Sequence, residues 1–333
     1  MTVVAGLVLL GGCARRGSPV AGDGDGEASG YRLVSTFAIE GYAEDVEVSG
    51  DLVLIAASQG GLVLIDVSDP ENPVYLGMGP TGFGATGCAY APQDQIGYVT
   101  DGSRGAVLYR LTDPMAPEEV GYCEGTSTRD IVVVETTPGQ VHHVFGADGI
   151  GDLRVWRATY SPSYDLWFGN QLSSPSTPGS ARGIAKEDTL VFLAMEEVGL
   201  AIFDVSTPGA PIEIGHVDTP GEARAIAVHG GYAYIADWRQ GLAVVDVSDP
   251  TDPAIVGSAS TDGNAEGIFY RDGEVFVADH AGGLVVFDVT DPSAPARADY
   301  YETPFANAVW VTDQYVFVAD RDWGLVILEE DDG

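Results

Sequence analysis

The sequence predicts an all-β chain folded as a single seven-bladed β-propeller of four-stranded antiparallel blades. Three observations predict it: one unit recurs seven times, its period suits four short strands, and the two ends of the array are incomplete in complementary ways. The clearest copies are GGLVLIDVSDPENP (60–73), GLAVVDVSDPTDP (241–253) and GGLVVFDVTDPSAP (282–295), with GLAIFDVSTPGAP (199–211) a near match. GAVLYRLTDPMAP (105–117) and DLRVWRATYSPS (152–163) are looser, and GLVILEE (324–330) breaks off at the end of the chain. One equivalent position holds Asp66, Arg110, Arg157, Asp204, Asp246, Asp288 and Glu329, in steps of 44, 47, 47, 42, 42 and 41 residues. Length alone would suggest two or three domains, but a repeat that fills the chain takes precedence over that prior.

Each unit resolves into four β segments. In the sixth copy they are 265–270, 274–278, 283–289 and 296–301. Arg271-Asp272-Gly273 has the composition of the first hairpin turn, and residues 279–282 that of the second. Asp-Pro-x-x-Pro then ends the third strand, because proline fixes φ and removes a donor. Val, Ile, Phe and Tyr fill the strands as β propensity expects, and no stretch shows helical periodicity. The seventh unit, from Phe305 to Glu329, lacks a fourth strand, while YRLVSTFAIEG (31–41) resembles the fourth strands PVYLGMG and AIVGSAS. The N-terminal strand is therefore expected to close the last blade and join the two ends of the ring. A solenoid with separate caps is the rival architecture.

The glycine-leucine-valine-hydrophobic-Asp unit resembles the LVIVD repeat of bacterial surface and secreted propeller proteins. The resemblance covers nearly the whole chain past Gly41 and is loosest in the second and third units. It implies the fold and an extracytoplasmic setting, and it implies no activity.

The charge excludes some partners. Fifty acidic residues against 15 basic ones give a net of −35, which repels phosphate backbones and anionic lipid. Solubility in a salty or extracellular medium is one reading of that excess, and cation binding another. Residues 1–12 read as a lipoprotein-type signal peptide: a short apolar run ends in Leu10-Gly11-Gly12-Cys13, which resembles a bacterial lipobox with Cys13 as the lipidated residue. A plain secretory signal or a chance apolar start is the alternative. Residues 13–30, rich in Gly, Asp and Ser, read as a flexible tether, 31–329 as the propeller and 330–333 as an acidic tail. Cys88 falls on an innermost strand and Cys123 near an outermost one. Three strand spacings of about 4.8 Å separate them, too far for a disulfide, so both are expected as free thiols.

Propeller ligands usually sit at the mouth of the central channel, where the loops leading into the first strands converge. Those positions are Glu44, Thr86, Arg129, Arg182, Arg224, Glu266 and Asn307. Three arginines thus share one arc, and guanidinium forks suit carboxylate or phosphate groups. The alternative is that these side chains pair with one another or with Asp45 and Asp130 and plug the channel. Asp66, Asp204, Asp246 and Asp288 recur at strand ends, and Asp101, Asp237, Asp279 and Asp320 at hairpin turns; four copies of each indicate turn chemistry. Trp238, Arg239, Arg321 and Trp323 add aromatic and charged groups to that rim. His142 and His143 point to opposite faces of one strand and make no metal site by themselves. The aromatics Trp156, Tyr160, Tyr164, Trp167 and Phe168 of the third unit suit packing between blades, with sugar stacking the alternative.

No catalytic residue, metal ligand set or cofactor fingerprint emerges; Asp23-Gly24-Asp25-Gly26-Glu27 resembles part of a calcium loop, which leaves Ca2+ the one ion considered. The expected function is an extracytoplasmic, membrane-tethered, non-catalytic binding or protein-interaction scaffold, monomeric, with a protein or a small anionic or sugar ligand as partner. A hydrolase or lyase acting at the channel mouth on an anionic or sugar substrate, with Ca2+, and a cell-surface adhesion module are the alternatives. The membrane enters only through the lipid anchor, and nucleic acid is excluded as a partner.

Overall fold

A computed structural model of the chain describes residues 30–331, so the stretch expected to be a signal peptide, Cys13 and the Asp23–Glu27 stretch lie outside the described residues. Among these residues are 28 strands in seven antiparallel four-strand units. The sixth unit runs Gly267–Arg271, Glu274–Ala278, Leu284–Asp288 and Ala296–Tyr301, within two residues of the segments expected from the repeat. Tyr31–Phe37 pairs antiparallel with Gly324–Glu330 and supplies the fourth strand of the seventh unit.

The middle strands read LVLIA, IGYVT, LVFLAM and EVFVA, apolar at successive positions rather than at alternate ones. A strand needs that pattern only when both its faces are covered. Seven apolar clusters cover them, one between each pair of neighbouring units. Val53 and Ile55 pack with Phe317, Ala319, Leu325 and Ile327 of the seventh unit. On the other face of the same strand, Leu54 and Ala56 pack with Val99, Val107 and Tyr109 of the second. The first strands touch in sequence around the molecule, and Ala306–Val311 of the seventh unit lies against Asp45–Ser49 of the first.

Two units merge. The fourth strand of the third, Leu166–Ser173, pairs in parallel with the fourth strand of the second, Glu118–Cys123, giving one eight-stranded sheet. The repeat gave no hint of this seam. Its cause is the length of the third unit's strands, 10, 8, 10 and 8 residues, together with Gly121 and Gly169, where a Cβ would strike the facing backbone. In the aromatic group of that unit, Trp156 and Trp167 are buried in the cluster between the second and third units. Tyr164 and Phe168 are exposed, ring edge to ring face, at the outside.

The proline turns hold neighbouring units together at the rim. Gly77, Gly215 and Gly257 in the outer strands sit so close to the Asp-Pro-x-x-Pro turn of the next unit that a Cβ would meet Pro114, Pro250 or Pro292. Asp246 and Asp288 accept the hydroxyl and then the amide N–H of Ser248 and Thr290, two residues on, and Asp66 and Asp204 the amide N–H of Ser68 and Ser206, which holds each carboxyl below its ordinary value. Cys88 and Cys123 are buried free thiols; burial pushes the Cys123 thiol up to about 12.

Candidate functional site

Residues from the first strands of all seven units line one cavity of about 840 Å³. Glu44, Thr86, Arg129, Arg182, Arg224, Glu266 and Asn307 all lie on it. The fold therefore brings every expected mouth residue to one place, where Arg182 pairs with Glu266 and Asn307 with Glu44, while the arginines also take carboxylates from outside that set.

The arginine arc closes on a carboxylate that the repeat did not single out. Arg129 Nη1 donates to Glu196 Oε1 at 3.0 Å, and the Nη1 atoms of Arg182 and Arg224 lie 3.8 and 3.7 Å from the same oxygen. Arg182 also bonds Glu266 directly, Nε to Oε1 at 3.1 Å, and Arg224 bonds Glu222. Asn307 Nδ2 donates to the Ala43 carbonyl at 2.8 Å and to Glu44 Oε2 at 3.3 Å. Burial and the Glu266 charge raise the Glu44 carboxyl above its ordinary value. Each guanidinium of the arc thus has a carboxylate of its own. Arg224 Nε and Glu266 Oε2 are buried polar atoms with no hydrogen-bond partner.

Asp45 and Asp130 do not pair with the arginines, contrary to the plugging alternative. They point at the neighbouring unit, where Asp45 Oδ2 accepts the Cys88 N–H at 2.9 Å and Asp130 Oδ2 the Ile184 N–H at 3.0 Å. Glu47 Oε2 accepts from Tyr90 N at 3.1 Å in the same way. The reason is that an innermost strand has an unpaired edge, whose amides need acceptors once they turn away from water. The carboxylates supply them across the gap between units. Burial raises the Asp45 carboxyl to about 6 and, with the Asp45 charge added, Asp130 to about 7 and Glu47 to about 8.

An aromatic arc runs on from the arginines. The Arg224 guanidinium lies 4.2 Å from the Trp238 ring centre, Trp238 meets His280 edge to face at 5.0 Å, and His280 stacks on Phe305 at 4.2 Å. Arg321 then covers Phe305 at 5.1 Å and Tyr42 at 4.7 Å. Burial lowers the His280 imidazole below its ordinary value, against the pull of Glu266.

The turns that present these groups are built alike. Buried Asp237 and Asp279 each bond the loop that leads into their own unit: Asp237 takes Thr219 Oγ1 and Gly221 N, and Asp279 takes Thr261 Oγ1 and Gly263 N, all at 2.6–2.8 Å. The next residue is forced left-handed. Ser58, Glu196, Trp238 and His280 have φ of 47°, 28°, 51° and 48°, and each bridges an alanine of the incoming loop. A non-glycine residue there costs about 1–3 kcal/mol, a strain that clusters at functional sites. This position holds Ser58, Gly102, Glu196, Trp238, His280 and Arg321, in each case three residues before the glycine of the repeat, Gly61, Gly105, Gly199, Gly241, Gly283 or Gly324. A variable position inside a constant frame was the signal in the repeat that could have revealed Glu196 and His280.

On comparison with known proteins, the LVIVD repeat family profile matches residues 40–78, 178–219, 220–261, 262–303 and 305–329. The unmatched stretch holds the second and third units, where the repeat is loosest and the sheets merge. No curated protein matches the chain. Among solved structures, the chain resembles the WD40 beta propeller domain of Doa1, with a TM-score of 0.66, 12% identity, and 92% of this chain and 98% of that one covered. It also resembles the computationally designed Ika8 protein, with a TM-score of 0.60, 11% identity, and 89% and 99% covered. At such identities the likeness concerns the fold alone.

Proposed function

Because the chain belongs to the LVIVD repeat family, we propose that its seven units close into a seven-bladed β-propeller that serves as a non-catalytic protein-interaction scaffold, docking its partner on the mouth of the central channel. The apolar cluster between the seventh and first units and the strand supplied by Tyr31–Phe37 support closure. The observation that carries the docking face is the aromatic and arginine arc of Arg224, Trp238, His280, Phe305, Arg321 and Tyr42, in which Trp238 and His280 hold left-handed backbone. Tryptophan, tyrosine and arginine anchor protein interfaces, because each buries a large, fairly rigid surface and keeps a polar handle. A small anionic substrate is less well served. It would have to displace Glu196, Glu222 or Glu266 from guanidiniums those groups already neutralise.

The test is a pair of variants compared in binding isotherms with the protein that co-purifies from the native envelope. Trp238→Ala combined with Arg321→Ala is expected to weaken binding at least a hundredfold, as loss of two anchors does. Arg129→Ala, Arg182→Ala and Arg224→Ala together should act at least tenfold by freeing Glu196 and collapsing the arc. Unchanged affinity in both variants would remove the mouth as the docking face.

The extracytoplasmic, lipid-anchored setting belongs to the same proposal and rests on residues 1–30. Cys13→Ser is expected to move the protein from the membrane fraction to the soluble one. Continued sedimentation with membranes would overturn the anchor.

A further inference from the structure

On the far side of the first strands from the mouth, the hairpin turn of the second unit meets the third. Asp94 of that turn faces Glu135 and His142, and one ligand atom from each lies within 4.8 Å of the other two. Two carboxylates and an imidazole thus converge from two units of the fold. The imidazole is fully buried, while Asp94 and Glu135 keep some exposure.

The surroundings aim the imidazole at the carboxylates. Tyr98 Oη lies 2.6 Å from Nδ1, and Trp167 covers the ring at 4.4 Å. Nε2 therefore points at Asp94 Oδ2, 2.6 Å away. A fixed partner on one ring nitrogen, with the other aimed at further ligand atoms, is how metal-binding histidines are held. Asp94 also accepts the Gly139 N–H at 2.6 and 2.8 Å, and Glu135 Oε1 accepts the Asp94 N–H at 3.1 Å. The single Nε2 proton can serve Asp94 alone. Glu135 is left beside a like charge, with no cation among its partners in the described residues.

We infer that Asp94, Glu135 and His142 form a binding site for a divalent transition-metal ion of the zinc type, which clips the second unit to the third. One nitrogen and two carboxylate oxygens suit such an ion and leave a position for water. Calcium and magnesium, which take oxygen ligands, suit it poorly. On binding, the one His142 proton passes from Nε2 to Nδ1, Tyr98 Oη changes from donor to acceptor for it, and Nε2 gives its lone pair to the metal. Asp94 exchanges its imidazole hydrogen bond for the ion and retains Gly139.

The test uses the full chain stripped with EDTA and titrated calorimetrically with ZnCl2, and separately with CaCl2. One Zn2+ per chain is expected, with a rise in melting temperature that EDTA reverses and Ca2+ does not reproduce. Glu135→Gln removes one ligand but preserves the Asp94–His142 bond, and should weaken Zn2+ at least tenfold. His143→Gln is the control, since that ring faces away and bonds Thr136 Oγ1; it should leave Zn2+ uptake unchanged. No stoichiometric uptake, uptake insensitive to Glu135→Gln, or uptake lost in the His143 variant would each overturn the site and leave a plain Tyr98–His142–Asp94 hydrogen-bond chain.

Discussion

A chain lacking residues 30–39 should fail to melt cooperatively, and a synthetic peptide of those residues should restore the transition. Tyr31–Phe37 pairs with Gly324–Glu330 over six positions, from Tyr31 against Glu330 to Phe37 against Leu325. Val34, Phe37 and Ile39 pack on the cluster shared by the seventh and first units, and Tyr31 and Leu33 on the one shared by the sixth and seventh. Full burial of one such side chain contributes about 1.5–3 kcal/mol, so five partly buried ones contribute roughly 5 kcal/mol or more. Net domain stability is about 5–15 kcal/mol, so the loss is of the same order as the whole. Deletion also exposes the edge of Gly324–Glu330, a template for aggregation. Rescue by strand addition would show that the defect is that edge. If the deleted chain melts within a few degrees of the intact one, the N-terminal strand does not hold the ring together, and the closure proposed above fails.

The second large effect is on pH dependence. Asp45, Asp130 and Glu47 line the cavity with folded values of about 6, 7 and 8, raised by burial, to which the Asp45 charge adds for Asp130 and Glu47. A carboxyl raised on folding is protonated in both states below its ordinary value, so it imposes no penalty in acid. Between that value and the folded one the unfolded chain loses its proton more readily, and stability falls as pH rises. The penalty is complete above the folded value. The melting temperature should therefore drop by several degrees between about pH 5 and pH 9, since each tenfold difference in proton affinity between folded and unfolded chain is worth about 1.4 kcal/mol. Buried Cys88 lies between these groups and is raised further by them, and Arg129 is committed to Glu196. Asp130→Asn keeps an acceptor for the Ile184 N–H while removing the charge, so it should stabilise the protein at pH 8 and do little at pH 5. A melting profile that rises from pH 5 to pH 9, or an Asp130→Asn variant less stable at pH 8, would contradict this account. The exposed turn aspartates Asp66, Asp204, Asp246 and Asp288 work in the opposite sense, since their carboxyls are held low.

Fold and site differ in how far the sequence reveals them. The strand boundaries of the sixth unit follow from turn chemistry alone, because Arg271-Asp272-Gly273 and the Asp-Pro pair act locally. Placing Arg129, Arg182 and Arg224 at one mouth also needed only the period. Which charge each of them meets was only partly legible. Glu196 lies 67 residues from Arg129, and Glu266 lies 84 from Arg182. The period that set Glu266 at the same mouth does not say which guanidinium it meets. Asp45 and Asp130 looked equally able to pair with arginine, and only the unpaired amides of the next strand draw them away. The trio of Asp94, Glu135 and His142 is hidden for the same reason, since the shape of two neighbouring units brings it together.

The sequence by itself determined the repeat, its four-strand unit, the spare strand at one end and the missing strand at the other. Those are consequences of local propensity, turn residues and a counted period, and each acts within a few residues. Tertiary structure decided which charges meet, which carboxylates bond amides, and that the second and third units share a sheet. Such pairings depend on distances across the gap between units, and two glycines facing each other at Gly121 and Gly169 count for nothing until the strands that carry them are side by side.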